Sequence, residues 1–234
     1  INLMVSKVTS LCLFTFNELE GLKYTLKKIK KNFLIYVIDA GSADGTIEYL
    51  KKRKIRFFIQ KRKDYNDAYY LAASKAKSNN LIIFHPKKTF SISIINEIDK
   101  RLNKGYDFVF TSRMIKNAYN EEDINLIKPR KWFGILLSIT TKIFFRKKNQ
   151  KNLSDPLCGV RGFKINKFRN IRLKKSGVTA DLEFFLKVFK YDLKFIEVPI
   201  KEKARLYGKT NFPAIRTGSK ILNYLFNEVV RIPF

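Results

Sequence analysis

Three groups of polar residues interrupt the apolar runs of this chain in patterns that could do chemistry. The first lies in residues 34–46, LIYVIDAGSADGT, where an apolar run stops at Asp39 and is followed by Gly41, Ser42 and Asp44. An acid at the carboxyl end of a buried strand, beside glycine and serine, can serve a polar ligand, because open α/β sheets bind ligands at that edge. The same residues also make an Asx-turn that needs no ligand, and both readings stay open on the local pattern alone. The second group is His85-Pro86-Lys87-Lys88, three potentially basic residues directly after the apolar stretch 81–84. The third is Asp181 with Glu183, after Thr179. Carboxylates in a first helical turn are favoured by the helix dipole alone, so this pair has a structural explanation beside any catalytic one.

The elements that must carry these groups alternate. Residues 8–16, 34–38, 55–60, 81–84, 106–111 and 193–200 read as strands. Residues 19–31, 46–54, 67–78, 92–102, 177–191 and 212–230 carry apolar residues at helical spacing. Near-continuous apolar strands separated by helices predict a mostly parallel sheet covered on both faces. Residues 116–130 read as a polar loop, 152–163 (NLSDPLCGVRGF) as a tight glycine- and proline-bearing loop, and 201–211 (KEKARLYGKTN) as a basic flexible segment. Residues 131–145 are strongly apolar yet too few to span a bilayer, which leaves a core helix or one lying at a membrane face.

Composition bounds the rest. With 234 residues a substantial single core is possible. Cys12 and Cys158 stand far apart with a single histidine in the chain, so no zinc-type ligand cluster is present and a reducing, cytoplasmic compartment is expected. No signal peptide opens the chain, and no apolar stretch is long enough for a membrane span. The net charge of +28 suits an anionic partner: nucleic acid, an anionic bilayer face or phosphorylated small molecules. No sequence-specific nucleic-acid motif accompanies it, so nucleic-acid binding is the minor alternative.

Taken in order, FTFNE at 14–18, VIDAGSADGT at 37–46, TSR at 111–113, DPLCGVRGF at 155–163, TADLEF at 179–184 and FIEVPI at 195–200 resemble the family 2 glycosyltransferases. Arg205 and Gly208-Lys209-Thr210 continue the pattern. Within the family the chain looks most like the polyprenyl-phosphate sugar transferases of the dolichyl-phosphate mannose synthase group. The resemblance implies a single GT-A type α/β domain, Rossmann-like, with a mostly parallel central sheet flanked by helices. Residues 1–110 would form its nucleotide-sugar half, 111–211 its acceptor half and 212–234 a C-terminal helix. It further implies nucleotide-sugar contacts from Thr15, Asn17, Glu18 and Asp39. Arg113, Asp155, Asp181 and Glu183 would stand near the reaction centre, with Gly159 and Phe163 in the adjoining loop. Phosphate or acceptor contacts would come from Arg113, Arg205 and Lys209. The implied partners are a nucleotide sugar, a polyprenyl phosphate or other glycan acceptor, and an anionic membrane surface holding the protein at the cytoplasmic face.

Members of the family carry an Asp-x-Asp motif for Mg²⁺ or Mn²⁺ after the fourth strand. Here His85-Pro86-Lys87 stands in its place. Rupture of a sugar–diphosphate bond builds negative charge on the leaving nucleotide, and cations must stabilise it. A lysine supplies charge but cannot place oxygens around an octahedral metal. The chain therefore reads as an inverting transferase in which Lys87 takes over part of the metal's task. The alternative is a non-catalytic homologue that binds nucleotide sugar, lipid phosphate or a partner transferase.

Overall fold

The computed structural model describes residues 8–30, 32–147, 150–173, 177–191, 193–204 and 214–231. Arg205 and Lys209, both expected at the site, lie outside the described residues. Strands β1 (Ser10–Thr15), β2 (Leu34–Asp39), β3 (Phe57–Ile59), β4 (Asn80–Phe84), β5 (Phe108–Ser112), β6 (Arg161–Lys164) and β7 (Phe195–Pro199) form one sheet in the order β3-β2-β1-β4-β6-β5-β7. The β1–β2, β1–β4, β2–β3 and β5–β7 pairings are parallel. Only β6 runs antiparallel, between β4 and β5. Around the sheet lie α1 (Leu19–Lys28), α2 (Thr46–Lys52), α3 (Tyr65–Lys75), α4 (Ser93–Asn103), α5 (Pro129–Phe145), α6 (Ile165–Ile171), α7 (Ala180–Lys190) and α8 (Ala214–Val230).

Both faces of the sheet are buried, which is why its strands read as apolar runs without alternation. In β1, Leu11 and Leu13 enter the core beneath α1, α2 and α4, while Cys12 and Phe14 enter the core beneath α3, α6 and α7. The second core is largely aromatic: Phe163 and Phe168 stack with centroids 4.7 Å apart, and Phe184 lies 5.4 Å from both Phe108 and Phe163. Such pairs add about 0.5–1.5 kcal/mol each beyond the area they bury. They account structurally for much of the phenylalanine content.

Two elements depart from the expected pattern. The tight loop expected over 152–163 ends in β6, and α6 follows it. A four-residue strand, RGFK, with a glycine and two cations shows no apolar period, so its pairing partners decide it. Gly162 is required there because a side chain would run into Ile98. The segment 131–145 forms the greater part of α5. That helix buries Gly134, Leu137 and Thr141, and Leu137 packs in a cluster with Leu182 and Leu186 of α7 and Ile221 and Leu225 of α8. Its opposite face leaves Trp132, Leu136, Ile139 and Ile143 half-exposed or more. Among the described residues no helix is long and apolar enough to cross a membrane.

Candidate active site

The carboxyl ends of β1, β2 and β4 open onto a cavity of about 200 Å³ lined by Thr15, Glu18, Lys63, Tyr65, His85 and Lys87, among others. A second cavity, of about 240 Å³, shares Tyr65, His85 and Lys87 with the first and continues past Gly159 to Arg113 and Asp181. The residues after β4 are therefore the wall common to both. Gly21 holds that wall: a side chain at 21 would collide with the carbonyl oxygen of Pro86, so α1 packs backbone to backbone on the loop that presents Lys87. The Lys87 N–H donates to the His85 carbonyl at 2.8 Å, and Lys88 continues in the left-handed region at φ 57°.

Asp39 is fully buried, and its carboxylate is occupied by the chain itself. Oδ1 accepts from the N–H groups of Gly41 and Ser42 at 2.9 and 2.7 Å, and Oδ2 accepts from the hydroxyls of Thr15 and Ser42 at 2.8 and 2.6 Å. These four bonds use the acceptor capacity of a carboxylate. Here Asp39 organises the turn, and the rim of the first cavity is formed instead by Thr15 and by Ala40. Asn17 plays a similar part: at φ 54°, its N–H donates to the Ser42 hydroxyl and its side-chain oxygen accepts from the Ala43 N–H, stitching the end of β1 to the turn after β2.

Arg113 and Asp155 meet each other. The guanidinium donates to both carboxylate oxygens, Nε at 2.7 Å and Nη2 at 2.8 Å, and Nη1 donates to Glu202 at 2.8 Å. Burial pushes the Asp155 carboxyl up, but the Arg113 charge and hydrogen bonds outweigh it and hold the group below the usual carboxylate range. Ser154 joins the network through Glu197, whose carboxylate accepts from its N–H and hydroxyl. Arg113 reaches the second cavity, whereas Asp155 does not line it. Glu183 is also fully buried, pairs with Lys187 at 2.8 Å, and lines neither cavity.

Asp181 is different. Its Oδ1 accepts from the Tyr69 hydroxyl at 2.9 Å and from Arg161 Nη2 at 2.8 Å, while Oδ2 makes no hydrogen bond to the described residues and lies on the wall of the second cavity near Gly159. Burial, opposed by Arg161 and reinforced by Asp181, pushes the Tyr69 phenol well above its ordinary range, so it remains a donor. Arg161 is 1% exposed and is flanked by the rings of Tyr69, Phe110 and Phe184, the last at 4.9 Å. Its Nε and Nη1 have no hydrogen-bond partner among the described residues. Sequence reasoning missed Arg161 and Tyr69 as supports of Asp181. The one available signal was an arginine set inside an otherwise small and apolar stretch, CGVRGF.

The residues after β4 do not fit a divalent metal. Among the described residues no group of three or more His, Cys, Asp or Glu could hold one. Burial, then the charges of Lys87 and Arg161, push the His85 imidazole down to about 3, which leaves it neutral at physiological pH. Its ring is packed edge-on against Phe14 at 5.8 Å. Lys87, beside it, brings a cation to the place where carboxylates would be needed.

Crystal structures of glucosyl-3-phosphoglycerate synthase from Mycobacterium tuberculosis share the fold. The complex with phosphoglyceric acid matches at TM-score 0.69 and 12% identity. The complex with Mn²⁺, UDP-glucose and glycerol 3-phosphate matches at TM-score 0.68 and 13% identity. Both alignments cover 98% of this chain and 82% of the synthase. An uncharacterized protein of Methanocaldococcus jannaschii is 27% identical over 231 residues, covering 92% of this chain and 89% of the relative.

These matches correct two expectations: membership of the dolichyl-phosphate mannose synthase group, and with it a polyprenyl-phosphate acceptor at a membrane surface. The structures matched are of an enzyme crystallised with phosphoglyceric acid, and no described helix crosses a membrane. A physical reason is visible in two of the residues that carried the resemblance: Arg113 and Asp155 are bonded to each other, so their presence does not define the kind of acceptor. The fold is a single-domain GT-A type α/β architecture, and the model for "Glycosyl transferase family 2" matches residues 10–172, well over half of the chain. The chain belongs to glycosyl transferase family 2 and is by class a glycosyltransferase.

Proposed function

We propose that the chain transfers a sugar from a nucleoside-diphosphate donor to a hydroxyl of a small anionic acceptor, without a divalent metal. The observation that carries this reading is the half-used carboxylate of Asp181, set across a shared cavity wall from Lys87. The donor would occupy the first cavity with its diphosphate toward Lys87 and Lys63, and the acceptor the second, with its anionic group toward Arg113. Oδ2 of Asp181 takes the acceptor's hydroxyl proton as that oxygen bonds to the anomeric carbon. The bond from that carbon to the diphosphate breaks with its electron pair passing to the nucleotide, and Lys87 offsets the charge that develops. In-line attack gives inversion, and the two adjoining cavities provide the positioning. The ligands crystallised with the matched synthase, UDP, UDP-glucose and phosphoglyceric acid, support UDP-sugars and phosphorylated acceptors as the first compounds to try.

The test is turnover of a panel of UDP- and GDP-sugars with phosphoglycerate and related acceptors, run with EDTA and again with Mn²⁺. Nucleotide release in both conditions is expected. Release only with Mn²⁺ would overturn metal independence, and release with neither would overturn transfer to this acceptor class.

A further inference from the structure

A second basic cavity, away from Asp181, is lined by Lys28, Lys30, Lys88, Lys201 and Lys203 and has a volume of about 540 Å³. No aspartate or glutamate lines it. Glu202 and Glu97, the nearest acids in sequence, are engaged by Arg113 and Arg101 instead. Its floor is made by residues 89–90 bridged to 202–203: Phe90 pairs with Glu202, and the Lys203 N–H donates to the Thr89 carbonyl at 2.8 Å. The helix α4 starts at its edge, with Ser91, Ile92 and Ser93 among the lining residues, no side-chain cap and no acid in its first turn. Thr89, 5% exposed, also lines the cavity, and its buried hydroxyl has no hydrogen-bond partner.

These features differ from an ordinary solvated lysine face. The lysines converge on a concavity, and Lys28 and Lys88 both lie over the Tyr24 ring, at 4.5 and 5.4 Å. The Tyr24 phenol is lowered from its usual range, first by its hydrogen bond with Lys28 and its charge, with Lys88 and Lys203 adding to the effect. Lysines gathered in a lining that holds no carboxylate repel one another, with Glu20 acting on Lys88 from outside it, and an uncapped helix start adds positive potential to the same edge. A bound anion relieves both. The volume lies within the usual range of small-ligand sites, and Tyr24, Phe33 and Phe90 give the cavity apolar wall for an organic body.

We propose that this cavity binds a small organic molecule carrying two or more phosphate charges, independently of the donor and acceptor cavities. Lysines act as point-charge phosphate binders, and several of them around one cavity suit a ligand of more than one charge. Lys87 and Lys88 are consecutive, so the ligand would brace the same loop that presents Lys87 to the diphosphate.

Inorganic pyrophosphate is the probe, titrated calorimetrically at constant ionic strength into the full chain already saturated with UDP, which fills the diphosphate site at Lys87. Lys28→Ala combined with Lys203→Ala should weaken this binding about tenfold. The UDP-saturated parent chain should still bind the probe. Equal affinity in the double variant and the parent overturns the proposal. So does the absence of pyrophosphate binding in the UDP-saturated chain, or abolition of binding by a modest addition of sodium chloride, which marks diffuse electrostatics. Sedimentation with phosphatidylglycerol vesicles without any pyrophosphate binding would also overturn it, in favour of a lipid surface.

Discussion

Two arginine–aspartate pairs, each with one fully buried member, stand at the second cavity, and they are built to opposite designs. Arg113 grips Asp155 with two side-chain hydrogen bonds and spends its remaining edge on Glu202, while Asp155 is 1% exposed. Arg161 gives Asp181 a single bond and keeps Nε and Nη1 without partners, and Asp181 keeps one oxygen on the cavity wall. A closed pair of the first kind stabilises geometry, and its carboxylate has no oxygen left to offer a ligand. The open pair tolerates unmet capacity inside the protein, and such unmet capacity is where a proton or an acceptor can be handled.

Replacing the open carboxylate should have the largest effect. Asp181→Asn keeps the shape and an oxygen for Tyr69, and should lower kcat by about 10²–10⁴-fold, the usual contribution of a general base. Steady-state kinetics beside a thermal melt would check it, and an unchanged kcat would remove Asp181 from the chemistry. The closed pair should respond in stability instead. Asp155→Ala leaves a buried guanidinium facing only Glu202 and should cost about 3–5 kcal/mol, read from denaturant unfolding. If Asp155→Ala retains the parent's stability but loses turnover, the contrast between the pairs is wrong.

His85, between the two cavities, gives a pH signature. Its folded pKa of about 3 lies far below the ordinary value, so over that interval the unfolded chain binds the extra proton. Stability is therefore full above about pH 6.5 and falls as the pH drops toward the folded value. Asp155 has the usual carboxylate sign: its contribution is present above the unfolded value near 3.9 and is lost only as the pH falls through its lower folded value. Unfolding free energies between pH 7 and pH 4 should thus fall steeply in the parent and less in His85→Asn, while the closed pair stays intact. Equal slopes would mean His85 is not held neutral.

The smallest change expected is at Gly159, whose added Cβ would sit 2.7 Å from His85 Nε2 and 3.6 Å from Asp181 Oδ2. Gly159→Ala should cost about 1–3 kcal/mol from overpacking. Because the intrusion is into the acceptor cavity, KM for the acceptor should rise while the affinity for UDP holds. A rise in both would mean the two cavities are not separable.

The strands β1, β2, β4 and β5 and the helices between them were legible because burial on both faces writes itself into the chain as apolar runs and helical periods. The same logic made the end of β2 and the replacement at His85-Pro86-Lys87 readable, since each follows directly on such a run. β6 and α6 were not legible: Arg161, Gly162 and Lys164 carry no period of their own, and only the neighbouring strands supply the pairing and the aromatic enclosure that tolerate a buried guanidinium. Nor could sequence distinguish Asp39, Asp155 and Asp181, three acids at motif positions. Whether a carboxylate is spent depends on which donors surround it. Gly41 and Ser42 bond Asp39 locally, but the other donors, Thr15 for Asp39, Arg113 for Asp155, Tyr69 and Arg161 for Asp181, arrive from residues 20 to 112 positions away. Sequence determined the family, the parallel strands of the sheet and the lysine where metal ligands would stand. The tertiary structure alone decided which acid is left with an oxygen to use, because hydrogen-bond capacity is settled by neighbours in space.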